Sequence, residues 1–262
     1  MSDFNPFQTA FADIGNTRIK LMLPGVLKKK PNLICIPWRN NNTELDNVVH
    51  QLKKQGIVKV SAISVNGEGT KKLKRSLLIY GILFLEVNRI LCSPLKSDYN
   101  IDAIGLDRLA NINGARKLFK FKNILVVDSG TALTVEIILG NHHAGGFIIP
   151  GERTLAAALH KNTAQLPLLE KIDVSENPGK NTEEAIARGS SLLFRHGAKA
   201  FINALCKQHR MNKVVIAGGN GERIKSLISG SVYNPLLTLT GVMFMEKENR
   251  CDSSRESQRS KS

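Results

Sequence analysis

"FADIGNTRIK" (residues 11–20) and "NILVVDSGTALTVEIIL" (residues 123–139) open two parts of one chain in the same way. Each has an apolar strand, then Asp-x-Gly with a threonine close behind, then a second strand pattern. The first carries Asp13, Gly15 and Thr17; the second carries Asp128, Gly130 and Thr131. Gly and Asn tolerate positive φ, so hairpin turn chemistry alone explains one such tip. The same tip in two repeats calls for a second explanation, a loop that holds phosphate and metal.

Working outward, each tip heads a similar succession of elements. After the first come an apolar run at 32–38 and a helical pattern over 43–56, with Leu45, Val48, Val49 and Leu52 on one face. A strand at 58–65, a helix at 70–81, a strand at 83–87 and a helix at 107–119 follow. After the second come a strand at 144–151 and helices at 153–166 and 181–209, the latter interrupted near Gly197. A strand, Gly-Gly turn and helix start occupy 213–228, and 233–246 closes the half. Three strands followed by alternating helices and strands, given twice, predict an α/β chain of two duplicated ribonuclease-H-like domains with a nucleotide cleft between them. The expected boundaries are 1–118 and 119–248. Residues 249–262 are polar and lack apolar periodicity, which predicts a disordered tail.

The 262 residues suit one large domain or two modest ones, and 42% hydrophobic residues suffice for a sizeable core. No apolar run approaches the roughly 18 residues of a membrane span, and the N-terminus has no basic segment leading into an apolar one. The chain is therefore expected to be cytoplasmic, with no membrane partner. Cys35, Cys92, Cys206 and Cys251 form no CxxC pair and are expected to be ordinary reduced thiols. The net charge of +15 admits an anionic partner. Its clusters, KKK at 28–30 and KKLKR at 71–75, have no interleaved aromatics, so a nucleic-acid role is not expected.

The residue types at the two tips suit phosphoryl transfer, which is mostly positioning and charge stabilisation. Backbone N–H groups at Gly15 and Gly130 can approach phosphate oxygens, and Thr17 and Thr131 offer hydroxyls. Lys20 adds positive charge, and Asp13 and Asp128 are oxygen donors suited to Mg²⁺ or K⁺. Gly218-Gly219-Asn220, after the strand at 213–217, is a third glycine-rich turn that could lie against adenine or ribose. No Walker A sequence and no GxGxxG after a strand occur. Gly105-Leu106-Asp107-Arg108 sits where a loop meets a helix. Asp107 there is either an N-cap or, beside an arginine able to hold a carboxylate, a base for an alcohol substrate.

These pieces together resemble a known family, the type III pantothenate kinases. The resemblance rests on DIGNTRIK (13–20), GLDR (105–108), DSGTALT (128–134), GGFIIPG (145–151), LHKNTAQLP (159–167) and NTEEAIARG (181–189), in the family's order. It implies membership of the superfamily of acetate and sugar kinases, the heat-shock ATPase and actin. It implies ATP-dependent phosphorylation of pantothenate, the first step towards coenzyme A. By resemblance, Asp13, Ile14, Gly15, Asn16, Thr17, Arg18, Ile19 and Lys20, with Thr131, contact ATP. Asp107 is the base, and Tyr99, Gly105, Leu106, Asp107, Arg108 and Thr182 contact pantothenate. Asp128 holds a monovalent cation, K⁺ or NH₄⁺, besides the Mg²⁺ that accompanies ATP. The family also implies a homodimer with its substrate pocket near the subunit interface. Two positions depart from the family pattern: Leu106 replaces a small residue, and Glu136 replaces an aspartate.

The rival expectation is a non-catalytic regulatory factor of the Bvg accessory factor kind on the same fold, which the positive charge would suit. A chain that had lost the chemistry would be expected to lose Asp13, Asp107 or Asp128, and this one keeps all three. A kinase for another small alcohol differs only around GLDR and Thr182. Three further features have plain readings. His142-His143 is expected in a solvated hairpin turn, Trp38 packing at an edge, and Pro150-Gly151 ending a strand.

Overall fold

The computed structural model describes residues 8–23, 32–39, 42–169 and 171–259, with Asn42 and residues 250–259 described for backbone only. The lysines at 28–30 lie outside the described residues. The chain forms two compact units. One comprises residues 1–120 together with 236–262, and the other residues 121–235.

The first unit is built on β1 (Thr9–Ile14), β2 (Ile19–Met22), β3 (Leu33–Ile36), β4 (Lys59–Ser64) and β5 (Leu83–Glu86), in spatial order β3-β2-β1-β4-β5. β1 runs antiparallel to β2, and β2 to β3; β4 lies parallel to β1, and β5 to β4. Alternation along the strands splits the side chains between two faces. Ala10, Ala12 and Ile14 of β1 join Ile19, Leu21, Val60 and Ala62 in a core closed by α1 (Asn42–Lys54) and α2 (Gly67–Ile79), through Leu45, Val49, Leu52, Leu73 and Leu77. Thr9, Phe11 and Asp13 therefore project from the opposite face, with Lys20 of β2 and Lys59 of β4. On that face lie α3 (Leu106–Leu118) and α7 (Leu237–Arg259), which pack against β4 and, for α7, β1. A two-residue strand, β6 (Lys96–Ser97), precedes α3.

In the second unit, β7 (Asn123–Ser129), β8 (Ala132–Leu139), β9 (His142–Pro150), β10 (Lys213–Ala217) and β11 (Val232–Tyr233) run in the order β11-β10-β7-β8-β9. β7–β8 and β8–β9 are antiparallel, while β10 is parallel to β7 and to β11. The first three strands, then a parallel fourth beside the first and a parallel fifth outside it, repeat the first unit's arrangement. This is the duplicated ribonuclease-H-like pattern expected from the two tips. α4 (Glu152–Asn162), α5 (Thr182–Gln208) and α6 (Gly221–Lys225) complete the unit. Phe194, Ala198, Ile202 and Leu205 of α5 cover Leu125, Val127, Leu133, Val135 and Ile137. That buried stripe runs unbroken past Gly197, whose missing side chain faces open space, so α5 is one helix and not the interrupted pair expected.

The largest difference from expectation is at the C-terminus. Residues 233–246 were expected to close the second half, yet α7 belongs to the first unit. The cause is close packing against α3. A Cβ on Gly114 would lie 2.6 Å from the Leu237 carbonyl oxygen, and one on Gly241 would collide with the backbone of Ala110. Thr238 Oγ1 donates to Asn111 Oδ1 at 2.9 Å. Lys59 Nζ reaches Glu246 Oε1 at 2.7 Å in a buried pair that ties α7 to β4. The helix also runs to Arg259, through most of the stretch expected to be a disordered tail. Residues 247–259 contain no Gly or Pro, so a helix begun on a packed face continues without meeting a breaker.

Among the described residues no helix is long and apolar enough to cross a membrane. Part of the KKLKR cluster is locally occupied: Lys72 pairs with Glu68 at 3.7 Å, and Lys74 with Glu86 at 3.6 Å. Burial and the nearby Glu248 push the Cys92 thiol up to about 11. Cys35 is exposed.

The α3–α7 contact gives a prediction whose sign is decisive. Gly→Ala within a helix ordinarily stabilises by about 1 kcal/mol. At Gly241 the added methyl has no room, and overpacking of this kind costs about 1–3 kcal/mol. Gly241→Ala should therefore lower the urea midpoint; a raised midpoint would contradict the described packing.

Candidate functional site

The first tip is closed by its own backbone. Gly15 N–H donates to the Arg18 carbonyl at 3.0 Å, and the strand register sets Asp13 opposite Lys20. The Gly15 amide is thus engaged within the turn. The exposed residues of the tip are Asn16, Thr17 and Arg18. Ile14 and Ile19 are wholly buried, so neither offers a side chain at the surface of the tip. Asp13 is 6% exposed, and Lys20 Nζ lies 3.4 Å from its Oδ2. This cross-strand pair places one negative and one positive group on the sheet face shared with α3.

Two neighbours fix the tip from behind. Trp38 is 1% exposed and donates Nε1–H to the Gly15 carbonyl at 3.0 Å. Its ring packs against Gly69, where a Cβ would sit 3.3 Å away, and cations lie over it: Lys72 Nζ at 5.5 Å and the Arg39 guanidinium at 5.6 Å. Asn66, which caps α2 by accepting from Gly69 N–H, also donates to Asn16 Oδ1 at 3.3 Å. Sequence reading missed both supports. A lone Trp after Pro37 carries no sign that its N–H faces a turn 23 residues earlier.

The GLDR residues come together at the head of α3. Gly105 is the N-cap and supplies no side-chain cap, so Asp107 is not the cap residue but lies in the first turn. Its Oδ1 accepts from Arg108 N–H at 2.8 Å. A Cβ on Gly105 would be 2.6 Å from that same oxygen, so the carboxylate lies against bare glycine backbone. Arg108 is 6% exposed, and its guanidinium lies 5.2 Å from the Tyr99 ring centre. Tyr99, Gly105, Asp107 and Arg108 therefore share one neighbourhood. Leu106 is buried, so its departure from the family's small residue is absorbed in packing.

The second tip is shorter. Gly130 N–H donates to the Ala132 carbonyl at 2.9 Å, again using the amide within the turn, and Asp128 faces Thr134 across the strands. Thr131 is exposed. Gly218 has φ +89, a conformation suited to glycine, and a Cβ there would collide with Asp128 Oδ1 and the Ser129 carbonyl. The turn at 218–220 thus packs on the acid, while Gly219 faces open space as a ligand-facing glycine would. On the other side Gly151 N–H and Thr154 Oγ1 both donate to the Thr131 carbonyl, at 3.0 and 2.5 Å. Pro150 does end a strand, and Gly151 is close-packed against the tip.

Thr182 belongs to a different neighbourhood. It is exposed as the first residue of α5, capped by Asn181, whose Oδ1 accepts from Glu184 N–H at 2.8 Å. Arg188 secures that end through Asp173, Glu184 and the Pro178 carbonyl. Its guanidinium beside Asp173 holds that carboxyl below its ordinary range. The expected solvated turn at His142-His143 is corrected: His143 is fully buried, with Nε2 3.0 Å from Glu136 Oε2. A register shift after Glu136 and the positive φ of Gly145 turn the strand inwards there, and Gly146 lies against the same carboxylate. Among the described residues no group of three or more His, Cys, Asp or Glu could form a metal cage.

Comparison with known proteins identifies a family and a fold. A family model for type III pantothenate kinase matches residues 11–208. A type III pantothenate kinase from Petrotoga mobilis is 35% identical over 147 residues, which are 55% of this chain and 57% of that protein. One from Kosmotoga olearia is 28% identical over 259 residues, 92% of this chain and 97% of that protein. The chain thus spans little more than half of the first relative and nearly all of the second. The structure of a Baf family protein from Campylobacter jejuni superposes with a TM-score of 0.55 at 22% identity, covering 92% of this chain and 98% of that one. The activator of 2-hydroxyisocaproyl-CoA dehydratase from Clostridium difficile, with bound ADPNP, gives 0.51 at 12% identity, over 95% and 97%. At these identities the likeness is one of fold.

Trp38→Phe deletes the N–H that the Gly15 carbonyl accepts, worth about 1 kcal/mol and so about fivefold in local opening, and also shrinks a fully buried ring, which lowers the stability of the whole unit. Amide exchange at residues 15–18 should quicken by about that factor beyond the quickening seen across the rest of the first unit. Unchanged exchange would show that the Gly15–Arg18 bond alone fixes the tip.

Proposed function

The chain belongs to the type III pantothenate kinase family, a family of kinases, and on that premise we propose that it transfers the γ-phosphoryl group of ATP to the 4′-hydroxyl of pantothenate in the cytoplasm. The products are 4′-phosphopantothenate and ADP, at the first step of coenzyme A biosynthesis. The observation that carries this reading is the head of α3. There a carboxylate bonded to its neighbour's N–H, a buried guanidinium and an aromatic ring come together on a helix that packs on β4 of the sheet carrying Asp13 and Lys20. An alcohol acceptor that bears a carboxylate needs such a set: a base for its hydroxyl and a planar cation for its acid group.

In this account Arg108 holds the pantothenate carboxylate, with Tyr99 and the Gly105 and Leu106 backbone shaping the pocket. Asp107 accepts the hydroxyl proton as oxygen attacks phosphorus and the bond to the β-phosphate oxygen breaks. Asn16, Thr17, Arg18 and Lys20, with Thr131, contact the ATP phosphates and offset the charge that develops there. Asp13 would add an oxygen donor to a Mg²⁺ carried mainly by the phosphates. Asp128, one carboxylate beside backbone carbonyls of the tip, has the donor set for K⁺ or NH₄⁺, whose charge would further stabilise the transferring phosphoryl group.

Asp107→Asn should lower turnover by ~10²–10⁴ in a coupled assay for ADP while leaving the fold intact. Near-wild-type turnover in a folded protein would remove Asp107 as the base. Replacing all K⁺ and NH₄⁺ by a large organic cation should silence the enzyme; undiminished rate would remove Asp128 from its role.

We further propose a homodimer in which Thr182 reaches pantothenate bound by the partner subunit. Supporting this, Leu193 is 66% exposed on α5, and Gly189 and Gly197 on the same helix are exposed with open space over them. Such a surface suits close approach of a second helix. Mixing Asp107→Asn chains with Thr182→Arg chains should restore activity through one intact site per heterodimer. No recovery after verified heterodimer formation would contradict the shared site.

A further inference from the structure

The segment Asp128–Thr131 lies between two glycine turns, and an ion pair joins the helices that open from those turns. One turn is Gly218–Gly221. Gly218 packs on Asp128, Asn220 N–H donates to the Ser129 carbonyl at 2.9 Å, and Tyr233 braces it by donating its hydroxyl to the Gly218 carbonyl at 3.0 Å. The other is Gly151–Thr154, with two donors on the Thr131 carbonyl. Glu152 opens α4 from the second turn, and Arg223 lies in α6, which opens from the first. Arg223 Nη1 donates to Glu152 Oε2 at 2.5 Å and Nη2 to Oε1 at 2.9 Å. The carboxylate is 3% exposed and the arginine side chain 42%.

We infer that Glu152 and Arg223 are positioning residues that hold the Asp128–Thr131 loop in register for the monovalent cation and the ATP phosphates. The inference rests on the kinase reading for what the loop binds, and on the geometry alone for what holds it. The plain alternative is that Glu152 merely complements the α4 N-terminus, as an acid in a first helical turn often does. That role needs no partner. The parallel two-point fork argues against it, because a fork fixes relative orientation as well as distance. The pair joins residues 71 apart in sequence and closes a ring: Arg223, the 218–221 turn, the Asp128–Thr131 loop, the 151–154 turn, Glu152. Opening the ring frees both turns to move away from the loop without unfolding the sheet. Supports one bond removed from a site typically change affinity or activity about 10–100-fold.

The test compares Arg223→Lys, which keeps charge and loses the fork, with Arg223→Ala and Glu152→Gln. Two quantities are read in the full-length protein: amide exchange resolved along the chain, and affinity for a fluorescent ATP analogue with Mg²⁺ and K⁺. Arg223→Lys should quicken exchange across 128–132 and weaken nucleotide binding about tenfold each, with exchange in α5 and β10 and pantothenate affinity unchanged. Arg223→Ala should do the same to a larger degree. Wild-type exchange at 128–132 in all three variants overturns the inference, and so does quickening spread evenly over the unit, which marks a merely structural pair. If the wild-type protein binds no nucleotide, the kinase reading fails, while the exchange result still decides whether the pair positions the loop.

Discussion

Carboxylates held against bare glycine backbone are the constraint on which the candidate site depends. Asp107 lies on Gly105, Asp128 on Gly218, and Glu136 on Gly146, and at each contact a single methyl group would displace the acid or the chain. Close backbone limits the rotamers open to a carboxylate and surrounds it with oriented peptide dipoles. A phosphoryl-transfer site gains most of its rate from charges that are already in place when the reaction starts, so this constraint bears directly on function. The elements that supply it are simple: a helix head for Asp107, a hairpin tip for Asp128 and a bulged strand pair for Glu136.

The two hairpin tips share an origin in sequence and differ in support. The first is four residues wide and is held by side chains, the Trp38 N–H on Gly15 and the Asn66 amide on Asn16. The second is two residues wide and is held by backbone, Gly151 on one side and the 218–220 turn on the other. A longer tip exposes more side chains, Asn16 to Arg18, and suits a flexible anion such as a triphosphate. A shorter tip fixes one carboxylate and a few carbonyls, which suits a small cation.

Much of this was legible in the sequence because it is local. The hairpins, the alternation of helices and strands, the duplicated strand order and the helix starting near Asp107 all follow from short-range periodicity and turn chemistry. The missed features join distant residues. Residues 233–246 read only as the close of the second half, and nothing in them says that Gly241 meets Ala110 and returns α7 to the first unit. A continuous buried stripe overrode the weak helix-breaking tendency of Gly197. His143 next to His142 reads as a wet turn; only the bulge at Gly145 shows that it points inwards to Glu136. The amides of Gly15 and Gly130 read as groups that can approach phosphate, and turn chemistry alone did not show that each also closes its own tip.

The central claim is that this chain directs a phosphoryl group of ATP onto the pantothenate hydroxyl. Phosphorus NMR of a reaction containing the full-length protein, ATP, Mg²⁺, K⁺ and pantothenate tests it most directly. The account predicts a new phosphomonoester resonance that grows in step with ADP and couples to the methylene protons at the 4′ carbon. Formation of ADP with inorganic phosphate alone, at the same rate with and without pantothenate, would contradict it.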